Sequence, residues 1–358
     1  MWAMIVKEFR QLRRDRRTLA MMIVLPVLML VIFGYAARFN VSSIPTVVVG
    51  PDARPVAGAL PTPFHVVEVD PTAGRSLAQS RLRDGKDVVA VVTGPGGTLV
   101  LLDGTQLFSV QTVRATMARD APPGAGGSQA VAVQILYNPN LTTSWVMVPG
   151  LAGLILVFIG TLITSLGVVR ERQAGTLEQL AVMPLRPWDV IVGKIAPYLI
   201  VAAVDLVGIV VVGMVLFHVP FVGNLGTFAL GAALFLLVTL GMGVLVSTVS
   251  QNQGQAIQLA LMLMMPQVLL SGLIFPVASM APGVRWLAYV FPLTYFTEIS
   301  RGVMLKGTPI GALWQPLGLL AVLAVVVLGT AVLRFRRDLA PGARRHRAPD
   351  GPGPALPA

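Results

Sequence analysis

Long apolar stretches alternate with short charged ones along the chain, apart from one mixed region near the start. Residues 18–37, 145–169, 195–217, 225–248, 256–275 and 310–333 are each about 20 residues or longer, enough for a helix to cross a bilayer. The pattern predicts six transmembrane helices. Asp205 is the one charged residue within these stretches. Trp145 stands where an interfacial anchor belongs, and Pro26 bends the first span. Ahead of it, residues 1–17 carry two stripes at helical spacing. Trp2, Ile5, Phe9 and Leu12 form the apolar one, and Lys7, Arg10, Arg14 and Arg17 the basic one. This is the pattern of an amphipathic helix lying in the headgroup boundary.

Residues 38–144 change character. Short runs rich in β-branched residues predict strands over 44–49, 65–69, 88–92, 99–102 and 131–137, and longer periodic runs predict helices over 76–84 and 105–119. Pro122 to Gly127 reads as a flexible loop. The mixture predicts a small α/β domain inserted between the first two spans. His65, the one histidine in it, has no companion ligands nearby in the sequence.

The segment from Val169 to Lys194 interrupts the apolar half of the protein. Gly175 can break the helix that precedes it. Thr176 and Gln179 have capping-box spacing. Leu177, Leu180 and Ala181 then fall on one face of a short helix, which Pro184 and Pro187 stop. The result is a small amphipathic helix tied directly to two spans, hence a docking surface.

Charge sets the orientation. Six Lys or Arg precede the first span, four lie in the 169–194 segment and six follow residue 333, out of 27 in all. With six spans all three groups fall on one side, which the positive-inside rule makes cytoplasmic, with both termini there. Residues 38–144 are then extracytoplasmic. The tail from Arg334 is basic and rich in Pro and Gly, a composition that does not support a packed core.

Residues 276–309 also lie outside in this topology, yet they are too apolar for a plain loop. Pro276, Pro282 and Pro292 exclude one straight helix, so the segment predicts a hairpin dipping into the outer leaflet. Glu298 and Arg301, three apart, can pair locally or border an exit path.

With 55% hydrophobic and 12% charged residues and a mean hydropathy of +0.76, the chain is an integral membrane protein. Its formal net charge of +11 sits beside apolar runs, which indicates lipid headgroups and not nucleic acid as the partner. Cysteine is absent, which removes disulfides and thiol chemistry. Arg outnumbers Lys amid much Ala, Gly and Pro, the usage of a GC-rich bacterial genome. No G-x-x-x-x-G-K-[ST] loop occurs, so the chain is not itself an ATPase. Three scattered histidines form no metal or catalytic constellation. Asp205, near the middle of the third span, costs about 2.5–3.5 kcal/mol on insertion scales and should face the bundle interior. It serves either packing or a transport path. Gln255, Gln258, Gln267 and Ser271 suit interhelical hydrogen bonding, and Met262, Met264 and Met265 suit packing.

The segments GTLEQL…MPLRPWDVIVGK and SGLIFPVASMAP…FPLTYFTEISRGVMLKG together resemble the coupling region and outer re-entrant hairpin of ABC type-2 exporter permeases. The resemblance covers nearly the whole chain, and the long 38–144 region is similar to the branch with a large extracytoplasmic domain, often described as multidrug exporters. It implies that Gly175, Thr176, Leu177 and Glu178, with Leu180, form a coupling helix seated in a cleft of a separate ATPase. Glu171 would lie at its membrane end, and Pro184 and Lys194 would close the loop into the third span. Glu298 and Arg301 would match the hairpin's charged pair. It further implies two permease chains, as homodimer or heterodimer, and two ATPase chains. The ATPase would bind ATP and Mg; this chain would hold no cofactor. The expectation is a bacterial inner-membrane permease that exports an amphiphile such as a drug or lipid. Two other readings start from the same residues. A membrane-anchored sensor or assembly protein would use 38–144 to bind a ligand, and a secondary transporter would use Asp205 to carry protons.

Overall fold

The computed structural model describes residues 43–120, 131–175 and 187–339. The anticipated interfacial helix at 1–17, the anticipated first span and the tail beyond Leu339 lie outside the described residues; the first tail residues, 334–339, continue the last helix instead of leaving packed structure at Arg334.

Five strands, β1 (Ile44–Val49), β2 (Phe64–Asp70), β3 (Val89–Gly94), β4 (Gly97–Asp103) and β5 (Val131–Leu136), form one sheet of order β2-β1-β3-β4-β5. β1 pairs parallel with β2 and β3, and β4 parallel with β5. β3 and β4 are antiparallel, with Gly94 opposite Gly97 across a Pro95–Gly96 turn. The parallel pairs require crossovers, supplied by the helices α1 (Ala53–Ala59), α2 (Arg75–Arg83) and α3 (Leu107–Asp120). Period-two alternation splits the strand side chains between two cores. Ile44, Val48, Val89, Val91, Val100 and Leu102 face Ala53 of α1 with Val110 and Val113 of α3. On the other face Val47, Val49, Ala90 and Leu101 cover Ala78 and Leu82 of α2.

The rest is helical. α4 runs Thr143–Gln173, with one π turn at Ile159–Ile163. α5 is Pro187–Leu216, α6 Leu225–Val249, α7 Gln253–Leu270, α8 Pro282–Ala288, α9 Pro292–Arg301 and α10 Trp314–Leu339. Among the described residues four helices are long and apolar enough to cross a membrane: Thr143–Gln173, Ile195–Leu216, Leu225–Val249 and Trp314–Arg334. The anticipated fifth span, over 256–275, is not among the four, and its helix does not reach Phe275. α7 stops at Leu270 because Gly272, at φ +78°, turns the chain away. Asparagine side chains start two of the helices: Asn224 accepts from the Thr227 N–H at 3.1 Å, and Asn252 from the Gln255 N–H at 2.9 Å.

α6 is the centre of the bundle. Its Phe235 stacks on Phe296 of α9 with centroids 4.4 Å apart, and both rings are buried. α9 is thus enclosed by the bundle, between α4, α6 and α10. Pro292 to Thr297, Ile299 and Ser300 are all buried, and Glu298 alone in α9 is exposed. α4 and α6 touch backbone to backbone. A Cβ at Gly243 would lie 2.9 Å from the Gly160 and Thr161 carbonyl oxygens.

Candidate functional site

α4 has 31 residues. At 1.5 Å per residue it is about 46 Å long, well beyond a hydrocarbon core of roughly 30 Å. Both of its ends are fastened by polar contacts, and these two ends define the site.

The C-terminal end meets α6 and α7. Arg172 Nη1 donates to the Ser247 and Ser250 carbonyls at 3.0 and 3.1 Å, so its charge sits at the negative end of the α6 dipole. Gln253 Nε2 donates to Gln173 Oε1 at 3.0 Å. Glu171 is half-buried beside them. The helix then stops: the Ala174 N–H donates to Arg170 O, the Gly175 N–H donates to Arg172 O, and Gly175 adopts φ +74°. That left-handed conformation favours glycine. Thr176, Leu177, Glu178, Leu180 and Pro184 lie outside the described residues.

The N-terminal end meets the sheet unit. Asn138 Oδ1 accepts from the Thr142 N–H at 2.9 Å, and Asn138 Nδ2 donates to the Gly104 and Thr142 carbonyls at 3.3 and 3.1 Å. Gly104 follows Asp103, the last residue of β4. One Asp103 oxygen accepts from the Thr105 N–H and hydroxyl at 3.0 and 2.7 Å. The other accepts from Lys306 Nζ at 2.7 Å. Lys306 closes a π turn, Gly302–Lys306, that continues α9. The Lys306 and Asp103 side chains are 8% and 1% exposed, which makes this a buried ion pair. Lys306 also donates to Leu82 O at 3.2 Å, and Thr308 Oγ1 to Arg83 O at 2.7 Å. The sheet unit is thereby bolted both to α4 and to the segment carrying α9.

Tyr137 adjoins this junction and donates from its hydroxyl to Gln79 O at 3.2 Å. Burial, and then the Asp103 charge, push its phenol up to about 12. The neutral folded form is favoured. Stability from Tyr137 is therefore complete below about pH 10, the ordinary tyrosine value, and is lost as pH rises towards the folded value. An absorbance titration should show a component near pH 12 that Tyr137→Phe lacks. A difference confined to about pH 10 would contradict this.

The anticipated pairing of Glu298 with Arg301 does not form. The Glu298 side chain is on the one exposed position of α9. Arg301 turns inward and donates to the carbonyls of Val146, Gly272 and Leu273 at 2.9, 3.1 and 3.2 Å. Pro276 caps a short 3-10 turn and Pro292 starts α9. Asp205 is half-buried on α5, beside exposed Val204 and Val207, and makes no hydrogen bond or ion pair among the described residues. The bundle interior expected for it is thus only partly attained.

Asp103, Asn138 and Lys306 were not singled out by the sequence pattern. Their available signals are faint: an Asp-Gly-Thr turn after a strand, an Asn-Pro-Asn turn before a span, and one of only four lysines after a long apolar run.

An apolar bundle with a sheet unit held on one helical end defines a multi-pass membrane protein. The model of the ABC-2 family transporter protein family matches residues 16–333, and the chain belongs to that family. It is 29% identical over 366 residues to the probable multidrug ABC transporter permease YbhR of Escherichia coli K12, covering 95% of this chain and 99% of that one. It is 28% identical over 368 residues to the probable multidrug ABC transporter permease YbhS of the same organism, covering 94% and 97%. A shorter match, 28% over 206 residues and about half of each chain, is to the inner membrane transport permease YhhJ. The chain is a permease subunit of an ABC transporter.

Proposed function

We propose that this permease exports an amphiphile across a bacterial inner membrane, driven by ATP hydrolysed in a separate subunit. Two ATPase chains bind ATP and Mg, and two permease chains, alike or different, enclose the substrate path. This chain has six spans, with the first at 18–37 and both termini cytoplasmic, and its sheet unit is extracytoplasmic. Gly175, Thr176, Leu177, Glu178 and Leu180, bounded by Glu171 and Pro184, form the element that enters the ATPase cleft.

The observation that carries this reading is the continuity of α4. It begins at the Asn138 and Asp103 junction and ends at Gly175, where the coupling segment starts. Closure of the ATPase dimer therefore pushes on one end of a rod whose other end is fastened to the sheet unit and, through Lys306, to α9. Arg172 holds α6 to the same end, so the helices reorient together. The substrate class rests on the apolar character of the bundle and on what the relatives' names say of those proteins.

The test is gentle purification of the tagged complex. A stoichiometric soluble subunit with a P-loop should accompany the permease and be lost on Glu178→Ala, while expression is unchanged. Gly175→Val, strained at φ +74°, should retain the permease fold but uncouple ATP hydrolysis from transport. Normal export by both variants would remove the coupling assignment.

A further inference from the structure

α9 is enclosed by the bundle except at one position, and that position carries a carboxylate. Glu298 is exposed, while Pro292 to Thr297, Ile299 and Ser300 are buried. Among the described residues Glu298 makes no hydrogen bond or ion pair. Arg301 is turned inward to three backbone carbonyls. Lys306, the cation whose charge acts on Glu298, is held by Asp103 at 2.7 Å. The neighbourhood of Glu298 is aromatic. Two α9 side chains pin the end of α8 to α9: Thr294 Oγ1 donates to Ala288 O, and the Tyr295 hydroxyl donates to Tyr289 O. Glu298 follows Thr294 by four residues and Tyr295 by three, so it stands about one helical turn further along the same side. Tyr289 and Glu298 both act electrostatically on the Tyr295 hydroxyl. Trp286, Tyr289 and Val290 are 60%, 52% and 51% exposed. Trp286 and Tyr289, three apart, share one side of α8, and Val284 and Leu287 pack with Leu269 and Leu270 of α7. Arg285 donates to Met280 O at 3.4 Å, within its own segment. An exposed apolar patch beside an unpaired charge is the composition of a binding surface: lipid alone disfavours the carboxylate, and water alone disfavours the rings.

We propose that Trp286, Tyr289 and Glu298 form a surface site for an amphiphilic organic cation. Glu298 supplies the countercharge, and the two rings cover the apolar body of the ligand. Aromatic faces attract a cation through their quadrupole in addition to apolar contact, most strongly where water is excluded. An anion is repelled by the carboxylate, a neutral amphiphile gains nothing from it, and a small hydrated metal ion gains little from the rings. The surface is open, so charge selects the ligand and a cavity size does not. The pinned α8–α9 turn holds Tyr289 in place before the ligand arrives, which limits the ordering cost of binding. Binding is a property of this chain and needs no nucleotide. That the bound cation is the exported amphiphile rests on the function proposed above.

The test is equilibrium binding to the full chain in a mild non-ionic detergent, without ATP or ATPase. The probes are tetraphenylphosphonium and tetraphenylborate, which share a shape and differ in the sign of charge. Glu298→Gln should weaken tetraphenylphosphonium about tenfold and leave tetraphenylborate unweakened. Trp286→Ala should weaken tetraphenylphosphonium with the carboxylate intact. Both positions are exposed, so neither variant should lower the thermal unfolding midpoint, and the second covers any misfolding of the first. Tetraphenylphosphonium binding unchanged by Glu298→Gln, or both ions weakened equally by it, would overturn the proposal. Such a result leaves the ATP-driven reading standing, because that reading is tested by nucleotide-dependent transport.

Discussion

Lys306→Met should destabilise the full chain by about 3–5 kcal/mol, the usual result of leaving one partner of a buried ion pair alone. Asp103 is 1% exposed on its side chain, so its charge cannot turn to water when Lys306 is gone. Its second oxygen would still accept from Thr105, which compensates little of the lost charge interaction. The double variant Asp103→Leu with Lys306→Met should recover most of the loss, because an apolar pair of similar volume needs no desolvation. Recovery would be incomplete, since Thr105 then loses its acceptor. The same pair links the sheet unit to the segment carrying α9, together with the bonds of Lys306 to Leu82 O and Thr308 to Arg83 O. The single variants should therefore impair transport at expression levels that remain measurable, and the double variant should restore stability more than transport. Thermal unfolding in detergent and a transport assay on the same preparations separate these effects. Additive losses in the double variant would mean the two residues do not act on each other.

Gly243→Val should be strongly damaging to the bundle. The site has no side-chain neighbour able to move aside. A Cβ there would lie 2.8 Å from Thr164 Cβ and 2.9 Å from two carbonyl oxygens of the π turn in α4. Overpacking of a core usually costs about 1–3 kcal/mol; here backbone would have to separate from backbone, so the upper end or beyond is expected. Val would force α4 off α6 at the π turn. Gly243→Ala should do the same more weakly. A quantitative thermal scan checks the order, with Val below Ala below wild type. Wild-type stability in Gly243→Val would mean that α4 and α6 do not approach as described.

Several elements were legible because their signals are local. The strand predicted over 44–49 is β1 to the residue, and the four other predicted strands differ from β2 to β5 by one or two residues at their ends. Alternation of β-branched residues carries that information without help from distant chain. α1 was missed: seven residues containing Pro55 and Gly58 give no usable period. The fourth span was equally plain, with Asn224 marking its start. The fifth is not among the described helices long and apolar enough to cross: apolar residues continue past Leu270, but the chain turns at Gly272.

The site was far less legible. Prolines and mixed polarity correctly divided the 276–309 segment into short pieces. They could not show that α9 enters the bundle, because Thr294, Thr297 and Ser300 look like surface residues until their neighbours are known. Two of their hydroxyls bond to carbonyls of the same segment, which is how such residues become compatible with burial. Spacing suggested that Glu298 and Arg301 meet. In the fold Arg301 finds unpaired carbonyls at the Gly272 turn instead. The Asp103–Lys306 pair joins residues 203 positions apart, and a single chain offers no pattern that connects them. In the 169–194 segment the helix-breaking signal is local: Gly175 is described, and its left-handed conformation ends α4.

The most direct measurement is uptake of a fluorescent amphiphile into inside-out membrane vesicles containing this permease and its ATPase. Uptake should require ATP, persist when the proton gradient is collapsed, and disappear in Glu178→Ala. Uptake driven by a proton gradient without ATP, and abolished by Asp205→Asn, would contradict the account and make the chain a proton-coupled carrier.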